Sequence, residues 1–338
     1  MEITTVGLDL AKNVFQLHGV DKKGKTVLTK KLTRNKVLPF FANMAPCLIG
    51  MEATGSANHW ARELKKLGHT VRLISPQFVK PYRKSSKNDQ NDAEAICEAV
   101  GRPSMRFVEP KTKEQQDIQS LHRIRQRLIS DRTARANQLR GLLAEYGIIV
   151  PKGISRLRKA LPFILEDAEN GLSPLARELF GDLYQQLLEL DTKVAAYDRK
   201  LKQIFMASPV CRRLAKVEGV GPLTATALIA AAGNGKSFNN GRQMVAWLGL
   251  VPRQYSSGDK QRLLGITKRG DSYLRTLLIH GARSAVLAAQ KKQDGRSRWL
   301  NALRERRNKN IAAVALANKN ARVLWALLTS EEEYRAAA

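Results

Sequence analysis

Cysteine is scarce in this chain of 338 residues. Cys47, Cys97 and Cys211 are odd in number, far apart and form no Cys-x-x-Cys pair. That excludes a disulfide scaffold or a thiolate zinc site and fits buried thiols in a reducing cytoplasm. The five histidines are scattered, with none paired at metal-ligand spacing. Any metal is therefore expected on oxygen ligands, which points to magnesium or manganese. No apolar run approaches the roughly 18 residues of a membrane span. The first fifteen residues lack the basic-then-apolar order of an export signal, so no membrane partner is expected. Acids are the other shortage: 30 Asp and Glu stand against 58 Lys and Arg, for a net charge of +28. Such a balance says little about fold but predicts attraction to a polyanion, nucleic acid first and an anionic membrane second. The length argues for two or three domains.

The few acids are unevenly placed. Residues 3–9 read as a strand ending at Asp9. Residues 14–20 alternate as a second strand, and 26–32 form a third after the turn at 21–25, giving an antiparallel meander. Residues 35–44 read as a short helix with Pro39 in its first turn. Residues 47–52 are a continuous apolar run ending at Glu52, as in a buried strand. An amphipathic helix over 57–67 is closed by Gly68, and 71–74 form a fifth strand. A loop carrying Lys80, Arg83, Lys84 and Lys87 leads to a helix beginning at Asp89. Asp89 and Asp92, at i and i+3, share one helix face. Two like charges held that close repel unless a cation, most simply a divalent metal, sits between them. The plainer alternative makes Asp89 an N-cap and Asp92 a second acid at the positive end of the helix dipole, with Asp9 and Glu52 ordinary strand-end acids.

This order of elements resembles the ribonuclease-H-like fold, and its RuvC-type branch in particular. The resemblance implies that the first and fourth strands lie side by side. Their carboxylates would meet an acidic pair from a later helix to hold two metal ions, which clamp the attacking and leaving oxygens of a phosphodiester.

From Lys113 to Tyr146 the apolar residues Ile118, Leu121, Ile124, Leu128 and Ile129 interleave with six arginines, which predicts a long basic helix. Residues 147–153 break it. A second helical region runs from Leu175 to Phe205, with Leu179, Leu183, Leu187, Leu190, Val194, Tyr197 and Leu201 near heptad spacing. It is either a coiled-coil arm between subunits or a helical hairpin in the chain's own bundle. The stretch Gly219-Val220-Gly221-Pro222 resembles a helix–hairpin–helix, in which Gly219 and Gly221 offer backbone N–H groups to a phosphate. A tight helix–helix turn with no ligand has the same pattern. Further on, Ser256-Ser257-Gly258 lies among Arg253, Lys260, Arg262, Lys268 and Arg269. That is a candidate phosphate site with a hydroxyl in reach, or else a polar loop with an ordinary phosphate contact. A basic run from Arg296 to Lys309 and an Ala-rich helix over 311–328 close the chain.

Together these pieces resemble the DEDD-type insertion-sequence transposases related to the Piv DNA invertase, described as RNA-guided recombinases. The residues that carry the likeness are Gly7-Leu8-Asp9-Leu10-Ala11-Lys12, Met51-Glu52-Ala53-Thr54-Gly55, Asn88-Asp89-Gln90-Asn91-Asp92-Ala93, Gly219-Val220-Gly221-Pro222, Trp247-Leu248-Gly249-Leu250-Val251-Pro252 and Tyr255-Ser256-Ser257-Gly258. The resemblance implies a RuvC-like domain over 1–110, a helical linker or coiled-coil arm over 111–207, and a mainly helical transposase domain over 208–330. It maps the four catalytic, metal-binding acids onto Asp9, Glu52, Asp89 and Asp92, and the nucleophilic serine onto Ser257 by its place before Gly258, with Ser256 the neighbouring alternative. It further implies a covalent serine–DNA bond, magnesium or manganese, donor and target DNA, and a guide RNA. The acids and serine would act as one composite site in a homo-oligomer, dimer to tetramer, in the bacterial cytoplasm at the nucleoid. Two other classes stay open: a RuvC-like nuclease using water as nucleophile, and a non-catalytic nucleic-acid-binding protein. Four intact acids, which repel phosphate, speak against the last.

Overall fold

The computed structural model describes residues 2–84, 86 and 88–335, so Lys87 of the basic loop lies outside the described residues. The chain divides into two units, Met1–Lys113 and Glu114–Ala338.

In the first unit, β1 (Thr5–Asp9), β2 (Val14–Val20) and β3 (Thr26–Thr33) form the expected meander. They are followed by α1 (Val37–Ala42), β4 (Leu48–Glu52), α2 (Ala57–Lys66), β5 (Thr70–Ile74), a short α3 (Pro76–Val79), α4 (Asp89–Val100) and β6 (Phe107–Val108). The result is one mixed six-stranded sheet in the order β3-β2-β1-β4-β5-β6. β1 pairs antiparallel with β2 and parallel with β4. Side chains alternate across the sheet. Leu8, Phe15, Leu17, Ile49 and Met51 bury one face in a core shared with Trp60 and Leu64 of α2. Each such side chain contributes roughly 1.5–3 kcal/mol on burial.

The opposite face is covered by α4, and glycine decides how closely. Gly7 and Gly50 are partners in register. A Cβ on Gly7 would lie 2.1 Å from the Ala93 carbonyl oxygen, and one on Gly50 would lie 2.7 Å from Val100 Cβ. The helix therefore rests directly on the backbone of the two central strands.

The second unit begins with α5 (Lys113–Glu145), α6 (Ile154–Glu166) and α7 (Pro174–Ala207). Gly147, at φ +74°, ends α5 as the composition predicts. Ser173 caps α7, accepting from Ala176 N. Ion pairs Arg125–Asp198 and Arg132–Asp191 link residues seven apart on each helix, so α5 and α7 run antiparallel. Arg158 of α6 also reaches Asp191, at 3.1 Å. The heptad residues Leu187, Val194 and Leu201 are buried within this bundle. These three positions of the seam are covered by the chain itself.

Next come α8 (Pro209–Leu214), α9 (Pro222–Ala232), α10 (Gly241–Trp247), the hairpin strands β7 (Pro252–Gln254) and β8 (Leu263–Ile266), α11 (Ser272–Ala288), α12 (Gly295–Arg306) and α13 (Lys309–Thr329). Contrary to expectation, α13 is long and apolar enough to cross a membrane. Ala312, Ala313, Leu316, Ala317, Ala321 and Leu324 are all fully buried in the core of the second unit, which accounts for that composition. We propose the junction between the helical middle and the C-terminal region near Ser208, which caps α8.

A buried relay ties α5 to α9 and α11. Thr226 Oγ1 donates to Pro222 O at 2.7 Å, so it accepts from His122 Nε2 at 3.0 Å. That leaves Nδ1 to accept the Tyr273 hydroxyl at 2.9 Å. Both nitrogens of the neutral ring are satisfied. Burial first, and Arg125 second, push the His122 pKa down from 6.5 to about 4. The unfolded chain binds this proton near pH 6.5 and the folded chain only near 4, so stability is lost as pH falls through that window. At about 1.36 kcal/mol per pKa unit the loss approaches about 3 kcal/mol. His122→Gln should lose less stability than the parent between about pH 7 and about pH 5, read as the change in urea midpoint. Identical losses in both proteins would contradict this account of the relay.

Candidate functional site

Asp9 ends β1 and Glu52 ends β4. The parallel register Leu8↔Met51, carried on by one residue, sets the two acids on neighbouring strand ends. Asp9 shares the sheet face of Thr5 and Gly7, and Glu52 that of Gly50, so both lie on the side covered by α4. The path of α4 is fixed by contacts along β1. Cys97 Sγ meets Thr5 O at 3.8 Å, and Ala93 O lies against Gly7. Four helix residues (roughly 6 Å) thus match two strand residues (roughly 6.6 Å), and the helix runs antiparallel to the strand. One further step sets Asp89 beside Asp9. The first turn of α4, with Asp89 and Asp92, therefore comes to the end of the sheet that carries Asp9 and Glu52.

Asp89 is not the cap of that helix. Asn88 is, accepting from Asn91 N at 2.7 Å. The plain alternative for Asp89 fails on this point, although both acids still sit favourably at the positive end of the helix dipole. Among the described residues no three of His, Cys, Asp and Glu are drawn together tightly enough to hold an ion. Asp92 Oδ1 is instead engaged by Arg83 at 3.3 Å, and Glu94 by Lys84 at 3.0 Å. Sequence spacing gave no hint of the Arg83 pairing. The donor chemistry nonetheless suits magnesium or manganese. The carboxylates stand at two strand ends and a helix start, Asp9, Glu52 and Asp92 partly exposed and Asp89 exposed, with no thiolate or imidazole among them.

Ser257 lies in the second unit. Tyr255 N bonds Arg262 O, and Ser257 and Lys260 exchange backbone bonds at 3.3 and 3.2 Å around Gly258-Asp259. Gly258 has φ +54°, as the first central residue of a type II′ hairpin turn requires. The sequence read this stretch as a loop, because its two strands are exposed almost throughout and do not alternate. At the base, Thr267 N bonds Val251 O, and Arg275 Nη1 donates to Leu248 O at 3.0 Å. Arg253, Ser256, Ser257, Lys260, Arg262, Lys268 and Arg269 are all exposed. The two serines differ in their surroundings. Ser256 Oγ accepts from Arg262 N at 3.3 Å, whereas the Ser257 hydroxyl has no hydrogen-bond partner among the described residues.

Only two non-glycine residues among those described have positive φ: Ser56 at +67°, four residues after Glu52, and Lys268 at +55°, beyond the hairpin. Such backbones cost about 1–3 kcal/mol each and gather at working sites. The sequence singles out Lys268 for its charge alone and gives no sign of Ser56. Gly219 is accounted for differently. At φ +83° it packs on α11, where a Cβ would sit 2.7 Å from Gly281 O. Its neighbour Glu218 pairs with Lys292 and Arg296. Close packing alone explains that glycine, while Gly221, the N-cap of α9, faces open space.

Comparison with known proteins agrees with both halves. Residues 6–148 match the DEDD transposase family of IS110 type, and residues 211–298 match the family described as Transposase IS116/IS110/IS902. A probable family 20 transposase of Pseudomonas aeruginosa is 52% identical over 99% of each chain. The transposase for insertion sequence element IS1111A of Coxiella burnetii is 49% identical, covering 100% of this chain and 93% of its own. The pilin gene-inverting protein of Moraxella bovis is a distant relation, 22% identical over 82% of each chain. The chain therefore belongs to the IS110/IS116/IS902 family of transposases, enzymes of DNA transposition with a DEDD N-terminal domain.

Proposed function

We propose that this transposase cuts and rejoins donor and target DNA through Ser257. Asp9, Glu52, Asp89 and Asp92 hold magnesium or manganese on a ribonuclease-H-like, RuvC-like first domain, and an element-encoded RNA serves as guide. The adjacent, parallel β1 and β4 support the fold assignment. The observation that carries the chemistry is the unpartnered Ser257 hydroxyl at an exposed hairpin tip, beside a Ser256 that is engaged. In the first step the Ser257 Oγ–P bond forms and the bond from phosphorus to one DNA oxygen breaks. That oxygen leaves with a proton. The serine proton passes to a base, and the acidic cluster is its proposed source. Arg253, Lys260 and Arg262 offset the charge on the pentacovalent phosphorus. A bound magnesium ion would supply further charge neutralisation and lower the pKa of a hydroxyl it meets. Rejoining is the reverse attack by a DNA hydroxyl, which restores the serine, so the bond count balances.

The partners follow from surface chemistry. Tyr255 is 77% exposed and offers a ring on which a base can stack. Ile149, Phe163, Leu175 and Leu179 are exposed apolar residues where α5 gives way to α6 and α7, which favours a homo-oligomer, dimer to tetramer. A bacterial cytoplasmic, nucleoid-associated location fits the charge and the free thiols.

The test is covalent capture. Incubated with nicked DNA and magnesium and then denatured, the protein should retain labelled DNA. Cut DNA with no label on the protein would favour a nuclease that uses water. Binding itself should be steeply salt-dependent. If six or more phosphates are contacted, affinity should drop by about a thousandfold or more between roughly 50 and 200 mM salt. A flat response in a filter-binding titration would rule out the basic surface as the nucleic-acid footprint.

A further inference from the structure

Antiparallel pairing sets Gln16 of β2 directly opposite Asp9 of β1. Partners in such a pair share a sheet face, with Cβ atoms roughly 4.5–5.5 Å apart. Gln16 therefore stands on the side covered by α4, next to the acid that ends β1. It is 4% exposed. Its Nε2 makes one long bond, 3.4 Å, to Leu17 O. Its Oε1 has no hydrogen-bond partner among the described residues and no solvent. Buried side-chain oxygens in that condition are uncommon and call for a cause. The neighbouring Val14 shows that this strand end is otherwise open, at 43% exposure, so a polar residue was not needed here to reach water.

We propose that the side-chain carbonyl of Gln16 is a fifth oxygen ligand of the divalent ion held by Asp9, Glu52, Asp89 and Asp92, reached directly or through one ordered water. The inference rests on the acid site proposed above. Its chemical logic is charge. Four carboxylates already repel one another when no ion is bound, and a fifth acid would deepen that repulsion in the ion-free protein. A carboxamide adds a hard oxygen with no charge, which such ions accept. Burial keeps this oxygen from exchanging its partner for bulk water.

The experiment measures Mn2+ binding by calorimetry on the full chain, with no DNA present. Gln16→Met keeps the length of the side chain and removes the carboxamide, that is, the oxygen together with the one long Nε2 bond to Leu17 O. It should weaken Mn2+ binding by about 10–100-fold, the usual effect of losing a supporting ligand. Without ion it should melt close to the parent, because the oxygen it removes has no partner among the described residues and the Nε2 bond lost with it is long and contributes at most about 1 kcal/mol. Unchanged Mn2+ affinity overturns the proposal, and so does an ion-free melting point well below that of the parent, which would mark Gln16 as a structural residue served by buried water. If Gln16→Met does not fold, Gln16→Glu decides. It keeps an oxygen and adds charge, and should bind Mn2+ more tightly, whereas unchanged or weaker binding again overturns the proposal. Asp9→Asn is the control on the site itself. If it loses Mn2+ while Gln16→Met does not, only the role of Gln16 fails. If it too binds Mn2+ like the parent, the acid site fails.

Discussion

Asp89→Ala should abolish strand cleavage and exchange while leaving the protein folded. Asp89 is exposed at the first position of α4, and Asn88 supplies the cap. Its contribution to the helix is therefore only the dipole term of an acid in the first turn, about 0.3–1 kcal/mol. Ala93, Ile96 and Val100 keep α4 on the sheet through Gly7 and Gly50. Activity is another matter. An ion ligand accounts for several kcal/mol of charge stabilisation in the transition state, which corresponds to about a thousandfold or more in rate. The paired measurements are a recombination assay and a thermal melt. A folded Asp89→Ala protein with near-parental activity would remove Asp89 from the site. Asp92 makes a harder case, because its loss also releases Arg83.

Ser257→Ala should lose both the covalent adduct and strand exchange, while Ser256→Ala keeps both within a few-fold. The two side chains are adjacent, both exposed and both flanked in sequence by the same cations, so charge alone cannot separate them. Hydrogen bonding does. Ser256 Oγ is tied to Arg262 N across the hairpin, and its loss costs the hairpin one neutral bond, about 1 kcal/mol. Ser257 gives nothing to the hairpin through its hydroxyl. Its substitution should not change stability, and a large loss of activity would then be chemical. Strand cleavage by Ser257→Ala at the parental rate would leave water as the nucleophile.

Much of the first unit was legible because its elements carry local patterns. Alternation along β2, the continuous apolar run of β4, the turn residues between strands and the apolar spacing along α4 gave the elements, and the strand-end positions of Asp9 and Glu52 followed. What failed was whatever tertiary contact alone decides. The two residues of β6 pair with Leu73 and Ile74 and carry no pattern of their own. α6 holds Pro162 inside it and follows a glycine break, so its periodicity is interrupted. Asn88 and Asp89 are both good capping residues, and their order is settled only by the turn that Asn88 makes. The heptad leucines of α7 looked alike, yet Leu187 is buried and Leu179 is 53% exposed, because at that end of α7 the buried face is taken by Ala176 and Phe180 and Leu179 lies off it. The Arg83–Asp92 pair spans nine residues, a separation with no helical or strand meaning. Gly219 carried a true signal of a tight turn, but the reason for the glycine is the backbone of Gly281 across the gap.

The central claim is that Ser257 becomes bonded to DNA in a reaction that needs the acids of the first unit. The most direct measurement traps the protein on a nicked DNA substrate with magnesium, digests both, and reads by mass which peptide residue carries the nucleotide. The account predicts a single phosphodiester on Ser257, present in the parent and absent from Asp89→Ala. A nucleotide on Ser256 or any other residue, or cleaved DNA with no modified peptide, would contradict it.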